Sequence, residues 1–318
     1  MNIVILDAYS VNPGDIDWAP IRAFGELTIF DHTAPEQIGA RIREADAVFT
    51  NRGRLGEAEF SQAPNLRFLC VFATGYDKID LAAARRHNIA VCNVPGYSTD
   101  AVAQHTFALL LELTNRTRML DTELRKGRWT QHPGDCVWDA PMIALAGKTF
   151  GVLGTGAIGC QSARIAQAFG MRVIGHSRNM RSAFCGAYVS REELFCQSDV
   201  LSLHCAASDE TRQIINRDSL KTMKQTAILL NTARGALVDS QALTEALNDG
   251  VIYAAGLDVV DREPILPDNP LLTAKNCLIT PHAAWLPRDV RVRLVDIAAG
   301  NLNVFLHGGA QNRVDLEG

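Results

Sequence analysis

A glycine-rich turn constrains the fold of this chain more than any other feature. Residues 148–159 read KTFGVLGTGAIG, in which the apolar run Phe150–Leu153 leads into Gly154, Gly156 and Gly159. The small and apolar residues that follow suit a helix, so the segment predicts a strand, a glycine turn and a helix. In such a unit the first glycine permits a tight turn, the second lets the backbone approach a pyrophosphate, and the third lets helix and strand pack closely. The segment therefore predicts a dinucleotide site.

The helix after this turn is expected to complete the phosphate site. Its first residues, Ala157 and Ile158, would offer free N–H groups and a partial positive charge to the phosphates. The alternative is an ordinary glycine-rich turn between a strand and a helix, because so short a motif also occurs by chance.

Size and composition narrow the classes of protein to which the chain can belong. At 318 residues, with 47% hydrophobic and 21% charged residues, it suits a globular protein of two domains. The net charge of −4 and the lack of a basic block argue against nucleic acid or an anionic membrane as partner and favour a small-molecule substrate. The most apolar stretch, Ala101–Leu113, is too short to span a bilayer.

The N-terminus and the cysteines indicate a cytoplasmic protein. The chain enters a strand pattern at once (MNIVILD), without the basic and apolar regions of a secretory signal. Its eight cysteines are scattered and form no CxxC motif, and several, such as Cys70, Cys92 and Cys205, fall in apolar runs. We expect buried free thiols in a reducing compartment and no metal site.

Strand and helix patterns alternate in two series, which predicts two parallel sheets. The first series has predicted strands at Ile3–Leu6, Leu27–Phe30, Ala47–Thr50, Phe68–Phe72 and Ala90–Cys92, with helices near 16–24, 35–44, 57–62 and 79–87. The second has predicted strands at Thr149–Leu153, Arg172–His176, Val200–His204, Ala227–Asn231, Ala255–Val259 and Leu278–Thr280. Six strands are what a complete doubly wound nucleotide domain requires.

The two series predict an α/β protein of two doubly wound parallel-sheet domains. A terminal helix over 289–306 could pack back onto the first domain, so we expect a Rossmann nucleotide domain (99–288) inserted into a flavodoxin-like substrate domain (1–98 plus 289–318). The ligand cleft is expected between them. A single long helix over 100–127 is predicted; its apolar surface would form either a homodimer seam or an interdomain contact.

The end of the second nucleotide-domain strand bears on the choice of cofactor. NAD-binding domains of this kind carry an acidic residue there, which binds the ribose 2′-hydroxyl. This chain has Ser177 followed by Arg178 instead. A hydroxyl and a guanidinium would bind a 2′-phosphate through charge-assisted hydrogen bonds, whereas a carboxylate would repel it. We therefore expect NADP(H), or use of both cofactors, over strict NAD(H); the alternative is that Arg178 is a solvated loop charge.

Three segments after strands of the nucleotide domain carry candidate chemistry: NTARG (231–235), DREP (261–264) and TPHAAW (280–285). They place Arg234, Glu263 and His282 beyond the carboxyl ends of strands, where ligands bind in open α/β sheets. Arg234 can grip a carboxylate with its planar fork. A carboxylate beside His282 would stabilise the protonated imidazole, so that it could serve as a general acid or base. Singly, each residue could equally be structural.

These motifs together resemble the D-isomer-specific 2-hydroxyacid dehydrogenases. GTGAIG, NTARG, DREP and PHAAW occur in the order of that family, and NVPGYSTDAVAQHTFALLL resembles its interdomain helix, so the resemblance spans essentially the whole chain. The stretches ATGYDKID, NVPGYS and HAAW look closest to the glycerate dehydrogenase or hydroxypyruvate/glyoxylate reductase branch. The resemblance implies that Arg234 binds the substrate, that His282 is the acid/base and that Glu263 pairs with His282.

The resemblance also implies further contacts around the reacting centre. Asp258 and Thr232 would lie at the cofactor, and the backbone at Thr74 and Gly75 would complete the carboxylate pocket. Trp285 is a candidate for the substrate pocket, as are Arg52, Tyr76 and Trp138, although each could be packing alone.

The expected activity is reversible hydride transfer between NAD(P)H and a small 2-oxo acid. Glyoxylate or hydroxypyruvate would give glycolate or D-glycerate, and the protein would be a homodimer. A rival of another class is an NAD(H)-sensing, corepressor-like regulatory protein on the same fold, although the chain has no long tail of the kind such a protein would use. Formate oxidation on a related scaffold is the enzymatic rival.

Overall fold

The computed structural model describes residues 1–132, 134–136 and 141–316. The chain divides into two compact units, the first made of Met1–Ser98 and Trp285–Gly318 and the second of Thr99–Ala284. The return to the first unit falls at Trp285, whereas the sequence pattern placed it at 289. Trp285 also makes a ring contact within the first unit, because its ring centroid and that of Tyr97 lie 6.4 Å apart at 74°.

The first unit contains a five-stranded parallel sheet. Its strands are β1 (Asn2–Ile5), β2 (Glu26–Ile29), β3 (Ala47–Thr50), β4 (Phe68–Val71) and β5 (Ala90–Cys92), in the order β2-β1-β3-β4-β5. Helices α1 (Ala19–Arg22), α2 (Ile38–Ile42), α3 (Glu57–Phe60) and α4 (Leu81–Arg86) lie between them. Strands β3 and β4 are buried along their whole length, as in a sheet covered on both faces. This strand order confirms the expected flavodoxin-like domain.

The second unit contains a seven-stranded parallel sheet. Its strands are β6 (Thr149–Leu153), β7 (Arg172–His176), β8 (Ala187–Tyr188), β9 (Val200–Leu203), β10 (Ile228–Asn231), β11 (Ala254–Leu257) and β12 (Cys277–Ile279). The order β12-β11-β10-β9-β6-β7-β8 contains the doubly wound Rossmann order with β12 added at one edge. The expected Rossmann domain is confirmed. Strand β8 was not predicted, because two residues carry no readable periodicity.

The helices of the second unit are α5 (Thr99–Asn115), α6 (Thr117–Arg125), α7 (Ala157–Ala168), α8 (Arg191–Gln197), α9 (Arg217–Thr222) and α10 (Ser240–Asn248). The single helix predicted over 100–127 is instead two, because Arg116 has left-handed backbone (φ +50°). Its guanidinium donates to the Tyr253 hydroxyl at 2.8 Å. Helix α5 packs into the core of the unit through residues such as Leu109 and Leu110.

The chain then returns to the first unit as α11 (Arg288–Leu306), which buries residues such as Leu294, Ala298 and Leu302. After this helix the tail runs along the edge strand β5. The Val314 N–H donates to the Val91 carbonyl at 2.8 Å, and the Val91 N–H donates to Asp315 Oδ1 at 2.8 Å. The tail therefore satisfies backbone groups that an open sheet edge would leave unpaired.

The thiols and the helices bear on two further expectations from the sequence. Cys70 and Cys92 are buried free thiols and Cys205 is a half-buried one. Burial raises the pKa of Cys92 to about 12 and that of Cys205 to about 11, so both thiols stay protonated near neutral pH. Within the described ranges, no helix combines the length and the apolar character that crossing a membrane would need.

Candidate active site

The turn after β6 has the shape that a phosphate-binding turn needs. Gly154 has φ +98°, and a side chain there would place a Cβ 2.6 Å from the Cys205 backbone nitrogen. A Cβ at Gly159 would collide with the Gly154 carbonyl, so α7 can pack this closely on β6 only with glycine there. At Gly156 the space is open, since no atom of the described residues, its two chain neighbours aside, lies within 4 Å of a Cβ built there. The backbone at Gly156 is thus accessible to a ligand.

Helix α7 begins directly after Gly156. The N–H groups in its first turn, at Ala157 and Ile158, have no acceptor within the helix. Together with the partial positive charge of a helix N-terminus, they suit a bound pyrophosphate. The glycine turn and the twelve-residue α7 therefore fit a dinucleotide cofactor.

The hydroxyl and the cation predicted at the end of β7 lie beside an acid from another loop, which the sequence did not predict. Ser177 follows the strand and is half-buried. Arg178 comes next, and its Nη1 lies 3.6 Å from Glu210 Oε2, with the two side chains 82% and 77% exposed. A pair so exposed contributes little to stability, about 0–1 kcal/mol. The guanidinium can therefore exchange Glu210 for another anion at little cost.

Strands β10, β11 and β12 are adjacent and in register at their carboxyl ends, where Asn231 pairs with Leu257 and Leu257 with Ile279. Hydrogen bonds extend this alignment past the strands: the Asp258 N–H donates to Asn231 O at 2.9 Å and the Thr280 N–H to Leu257 O at 2.8 Å. The loops that carry Arg234, Glu263 and His282 all follow these strand ends. The structure therefore brings the three loops to one edge of the sheet.

The loop that carries Arg234 is fixed by its neighbours. The Asn231 side chain donates to the Arg234 carbonyl at 2.9 Å and accepts from the Ala233 N–H at 3.0 Å. A side chain at Gly235 would collide with the Val260 carbonyl, so this loop packs tightly on the one after β11. The half-buried Arg234 guanidinium donates from Nη1 to the Ala233 carbonyl at 2.8 Å. Thr232, the preceding site candidate, is buried, with its hydroxyl 3.0 Å from that of Thr106 on α5.

His282 and Glu263 are in direct contact: the imidazole Nδ1 lies 2.7 Å from Glu263 Oε2. Their side chains are 31% and 24% exposed, so the pair is partly shielded from solvent but still accessible to a small molecule. Because an ionised carboxylate only accepts, Nδ1 must carry the proton in this contact, which leaves Nε2 for another partner. His282 also has left-handed backbone, φ +54°. Such backbone in a non-glycine residue is strained and is frequent at functional sites.

Asp258 holds the turn in which His282 lies. Its side chain is 1% exposed and accepts from the Thr280 hydroxyl at 2.6 Å, the Ala283 N–H at 2.7 Å and the Ala284 N–H at 3.0 Å. Its backbone carbonyl accepts from the His282 N–H at 2.8 Å. Burial acts to raise the pKa of Asp258, but hydrogen bonds from His105, Thr280 and the two backbone N–H groups outweigh it and hold this pKa below its usual range. Asp258 is therefore a buried carboxylate anion.

His105 was not among the residues predicted for the site. Its Nε2 lies 2.9 Å from Thr280 Oγ1 and 3.3 Å from Asp258 Oδ1. His105 lies in the segment that resembles the family's interdomain helix, within the apolar stretch that forms α5, but nothing local pointed to its partners.

In the first unit, the predicted substrate residues Thr74 and Gly75 follow β4. Thr74 donates its hydroxyl to the Val94 carbonyl at 3.1 Å, and its own carbonyl accepts from the Asn93 amide at 2.8 Å. This loop is therefore held to the segment after β5. Trp285, the third candidate of this unit, is only 7% exposed.

Two other pocket candidates, Arg52 and Tyr76, and one unpredicted carboxylate lie in the same unit. Arg52 and Tyr76 are exposed, whereas Trp138 lies outside the described residues. The buried Asp7 carboxylate accepts from the Asn51 N–H at 2.9 Å and from the Arg52 N–H. Asp7 thus fixes the turn after β3, a role that no motif indicated.

Known proteins resemble the chain over both units. The model of the NAD binding domain of D-isomer specific 2-hydroxyacid dehydrogenases matches residues 107–284. A hydroxypyruvate reductase of Blautia hydrogenotrophica is 44% identical over 321 residues, covering 99% of this chain and 100% of that protein. A glyoxylate reductase of Aeropyrum pernix is 42% identical over 299 residues, covering 91% and 89%. The solved structure of an acyclic imino acid reductase in complex with NADPH and D-Arg has a TM-score of 0.87 at 30% identity, covering 99% and 100%.

Proposed function

The chain belongs to the D-isomer specific 2-hydroxyacid dehydrogenases, an oxidoreductase family, and on that premise we propose that it reduces glyoxylate or hydroxypyruvate reversibly with NAD(P)H. The products would be glycolate or D-glycerate. One observation carries the proposal: a histidine paired to a glutamate at 2.7 Å lies at the sheet edge to which the Arg234 loop also belongs. The names of the two similar reductases support the choice of substrates.

In this proposal His282 moves the proton. During reduction, Nε2 of the imidazolium donates a proton to the carbonyl oxygen of the substrate, and in the reverse direction the neutral ring accepts it. Glu263 Oε2, 2.7 Å from Nδ1, accepts the hydrogen bond of the Nδ1 proton and thereby keeps the ring in one tautomer and stabilises its charged form. General acid catalysis of this kind contributes roughly 10²–10⁴-fold to the rate.

Arg234 is proposed to bind the substrate. A planar guanidinium can hold the carboxylate of a 2-oxo acid in two places and can stabilise charge that develops on the neighbouring carbonyl oxygen. The fixed backbone of its loop supports this role, because a preorganised donor needs no rearrangement during the reaction. The roles expected for Thr74, Gly75 and Trp285 at the substrate, and for Thr232 and Asp258 at the nicotinamide, remain proposals.

The nicotinamide cofactor, when bound, supplies or accepts the hydride. We propose that Gly154, Gly156 and Gly159 shape its pyrophosphate site and that the N–H groups of Ala157 and Ile158 bind the phosphates. Ser177 and Arg178 are proposed to favour NADPH over NADH by binding the 2′-phosphate. Their place directly after β7 supports this preference, whereas the carboxylate of Glu210 beside Arg178 weakens it.

The direct test is a panel of 2-oxo acids, namely glyoxylate, hydroxypyruvate, pyruvate and 2-oxoglutarate, each assayed with NADH and with NADPH. We expect oxidation of the cofactor with glyoxylate or hydroxypyruvate at a higher kcat/KM than with the other acids, and a higher kcat/KM for NADPH than for NADH. Turnover confined to the other acids would refute the proposed substrates. A preference for NADH would refute the cofactor assignment and leave the substrate assignment intact.

A further inference from the structure

We propose that His105, on helix α5, is a positioning residue for His282 and acts through Asp258 and Thr280. The inference rests on the proposed function, because it takes His282 as the acid/base of the reaction. It assigns a role to a histidine that none of the site predictions above included.

Counting protons fixes the direction of each hydrogen bond in this cluster. The Asp258 carboxylate is an anion and can only accept hydrogen bonds. The Thr280 hydroxyl has one proton, so it must donate that proton's hydrogen bond to Asp258 Oδ1, 2.6 Å away. The Thr280 oxygen, 2.9 Å from His105 Nε2, can then only accept from it. His105 must therefore carry a proton on Nε2. From there it donates to Thr280 Oγ1, and Asp258 Oδ1 lies 3.3 Å from the same nitrogen.

The same carboxylate connects His105 to the turn that carries His282. Asp258 accepts from the N–H groups of Ala283 and Ala284, and the His282 N–H donates to the Asp258 carbonyl at 2.8 Å. Three consecutive N–H groups thus bind one residue, and this holds His282 in its left-handed conformation. A change in the position of Asp258 would move the imidazole with it.

Because Asp258 is buried, its position depends on the N–H that His105 donates. Asp258 is 1% exposed, so few water molecules can replace a lost partner. A buried carboxylate that loses a donor either shifts towards another donor or takes up a proton. His105 is itself well placed to hold Asp258, because its side chain is only 22% exposed and α5 is anchored by Leu109 and Leu110 in the core of the unit.

Substitutions at His105 test the role through turnover. His105→Leu removes the donor, whereas His105→Gln retains an N–H at a similar reach. Gln104→Leu, at an exposed position next to it on α5, is the matched control. We expect kcat of the leucine variant to fall roughly ten- to hundredfold, the penalty for a catalytic group displaced by about 1 Å, with KM for the 2-oxo acid nearly unchanged. The glutamine variant should recover most of the lost kcat.

Two outcomes would overturn the proposal. One is that His105→Leu, folded by its thermal transition, keeps the kcat of the wild type. The other is that His105→Gln and His105→Leu lose kcat equally while both retain the thermal stability of Gln104→Leu. In that case the loss of kcat would not come from the loss of the donated N–H.

The proton positions can be measured without any turnover, which separates this inference from the proposed function. Long-range ¹H–¹⁵N correlation spectra of the imidazoles in the wild type, assigned with the His105→Gln and His282→Gln variants, should show a proton on Nε2 of His105 and on Nδ1 of His282. A His105 ring protonated on Nδ1 alone would overturn the inference even in an active enzyme. The expected pattern in a protein that reduces no 2-oxo acid would refute the proposed function and retain the hydrogen-bond arrangement.

Discussion

His282 Nδ1 lies 2.7 Å from Glu263 Oε2, and the two residues come from loops that follow the neighbouring parallel strands β11 and β12. One loop supplies the histidine proposed to carry the proton, and the other supplies the carboxylate that contacts it. An orienting acid of this kind fixes the tautomer of a histidine and stabilises its charged form. The loop of Arg234 follows the next strand, β10, so the residue proposed to bind the substrate carboxylate and the proposed acid/base share one sheet edge.

Removing the Arg234 guanidinium should weaken both substrate binding and the chemical step. In Arg234→Ala we expect KM for the 2-oxo acid to rise and kcat to fall, because charge-assisted hydrogen bonds worth about 1.5–3 kcal/mol are lost. Arg234→Lys should recover only part of the loss, since an ammonium cannot grip a carboxylate in two places. Steady-state kinetics check both variants, and an unchanged KM in Arg234→Ala would refute the assigned role.

The contact between Arg178 and Glu210 predicts opposite changes in cofactor preference. Arg178→Ala should lower the ratio of kcat/KM for NADPH to that for NADH, because a cation that binds the 2′-phosphate is lost. Glu210→Gln should raise this ratio by up to about fivefold, since it removes a competing anion from an exposed pair. Both ratios are measured at low salt. Changes of the same sign in the two variants would contradict the proposal that Arg178 binds the 2′-phosphate.

The buried Asp258 carboxylate predicts how stability depends on pH. Its pKa in the folded protein lies below the unfolded value, so its ionisation stabilises the fold fully above the unfolded pKa of about 4 and progressively less as pH falls towards the folded pKa. Asp258→Asn should lower the free energy of unfolding at neutral pH by about 1.5–3 kcal/mol, because hydrogen bonds to a charged acceptor are weakened. Urea titrations of both proteins should show this difference shrinking below about pH 4. A difference that grows on acidification would contradict this account.

A homodimer remains a prediction, and the surface of the second unit supports it. Helix α6 buries none of its residues, and Leu124, Trp129 and Met142 are 44%, 52% and 59% exposed. Closed two-fold dimers are the commonest way to cover such a surface. Light scattering coupled to size exclusion should give about twice the chain mass of 34.7 kDa, and Leu124→Glu should shift the mass towards that of a monomer. A wild-type protein with the mass of one chain would refute the predicted homodimer.

The elements and the motifs of this fold could be predicted because their signals are local. Buried strands such as Phe68–Val71 are continuous apolar runs, and glycines such as Gly154 and Gly159 mark a turn that other residues cannot form. The loops of Glu263 and His282 could be placed at one sheet edge because both follow strand ends. Their direct contact was implied by the family resemblance alone, and the structure gives its geometry, 2.7 Å between His282 Nδ1 and Glu263 Oε2.

What sequence could not supply are contacts between distant residues and backbone conformations without a sequence signature. His105 reaches Thr280 across 175 positions, and no spacing rule relates a helix residue to the end of a strand so far along the chain. The left-handed conformation of Arg116, which divides the predicted long helix, falls on a residue that favours helices. Glu210 reaches Arg178 from a separate loop, so the sequence pattern showed the cation without the neighbouring acid.

The role of His282 as the acid/base is tested most sharply by the kinetics of His282→Gln, measured together with its affinity for the cofactor. We expect kcat for the 2-oxo acid to fall by roughly 10²–10⁴-fold, while the Kd for the nicotinamide cofactor stays at the value of the wild type. A variant that keeps its kcat, or one that loses cofactor affinity as severely as turnover, would contradict the role of His282 as the acid/base.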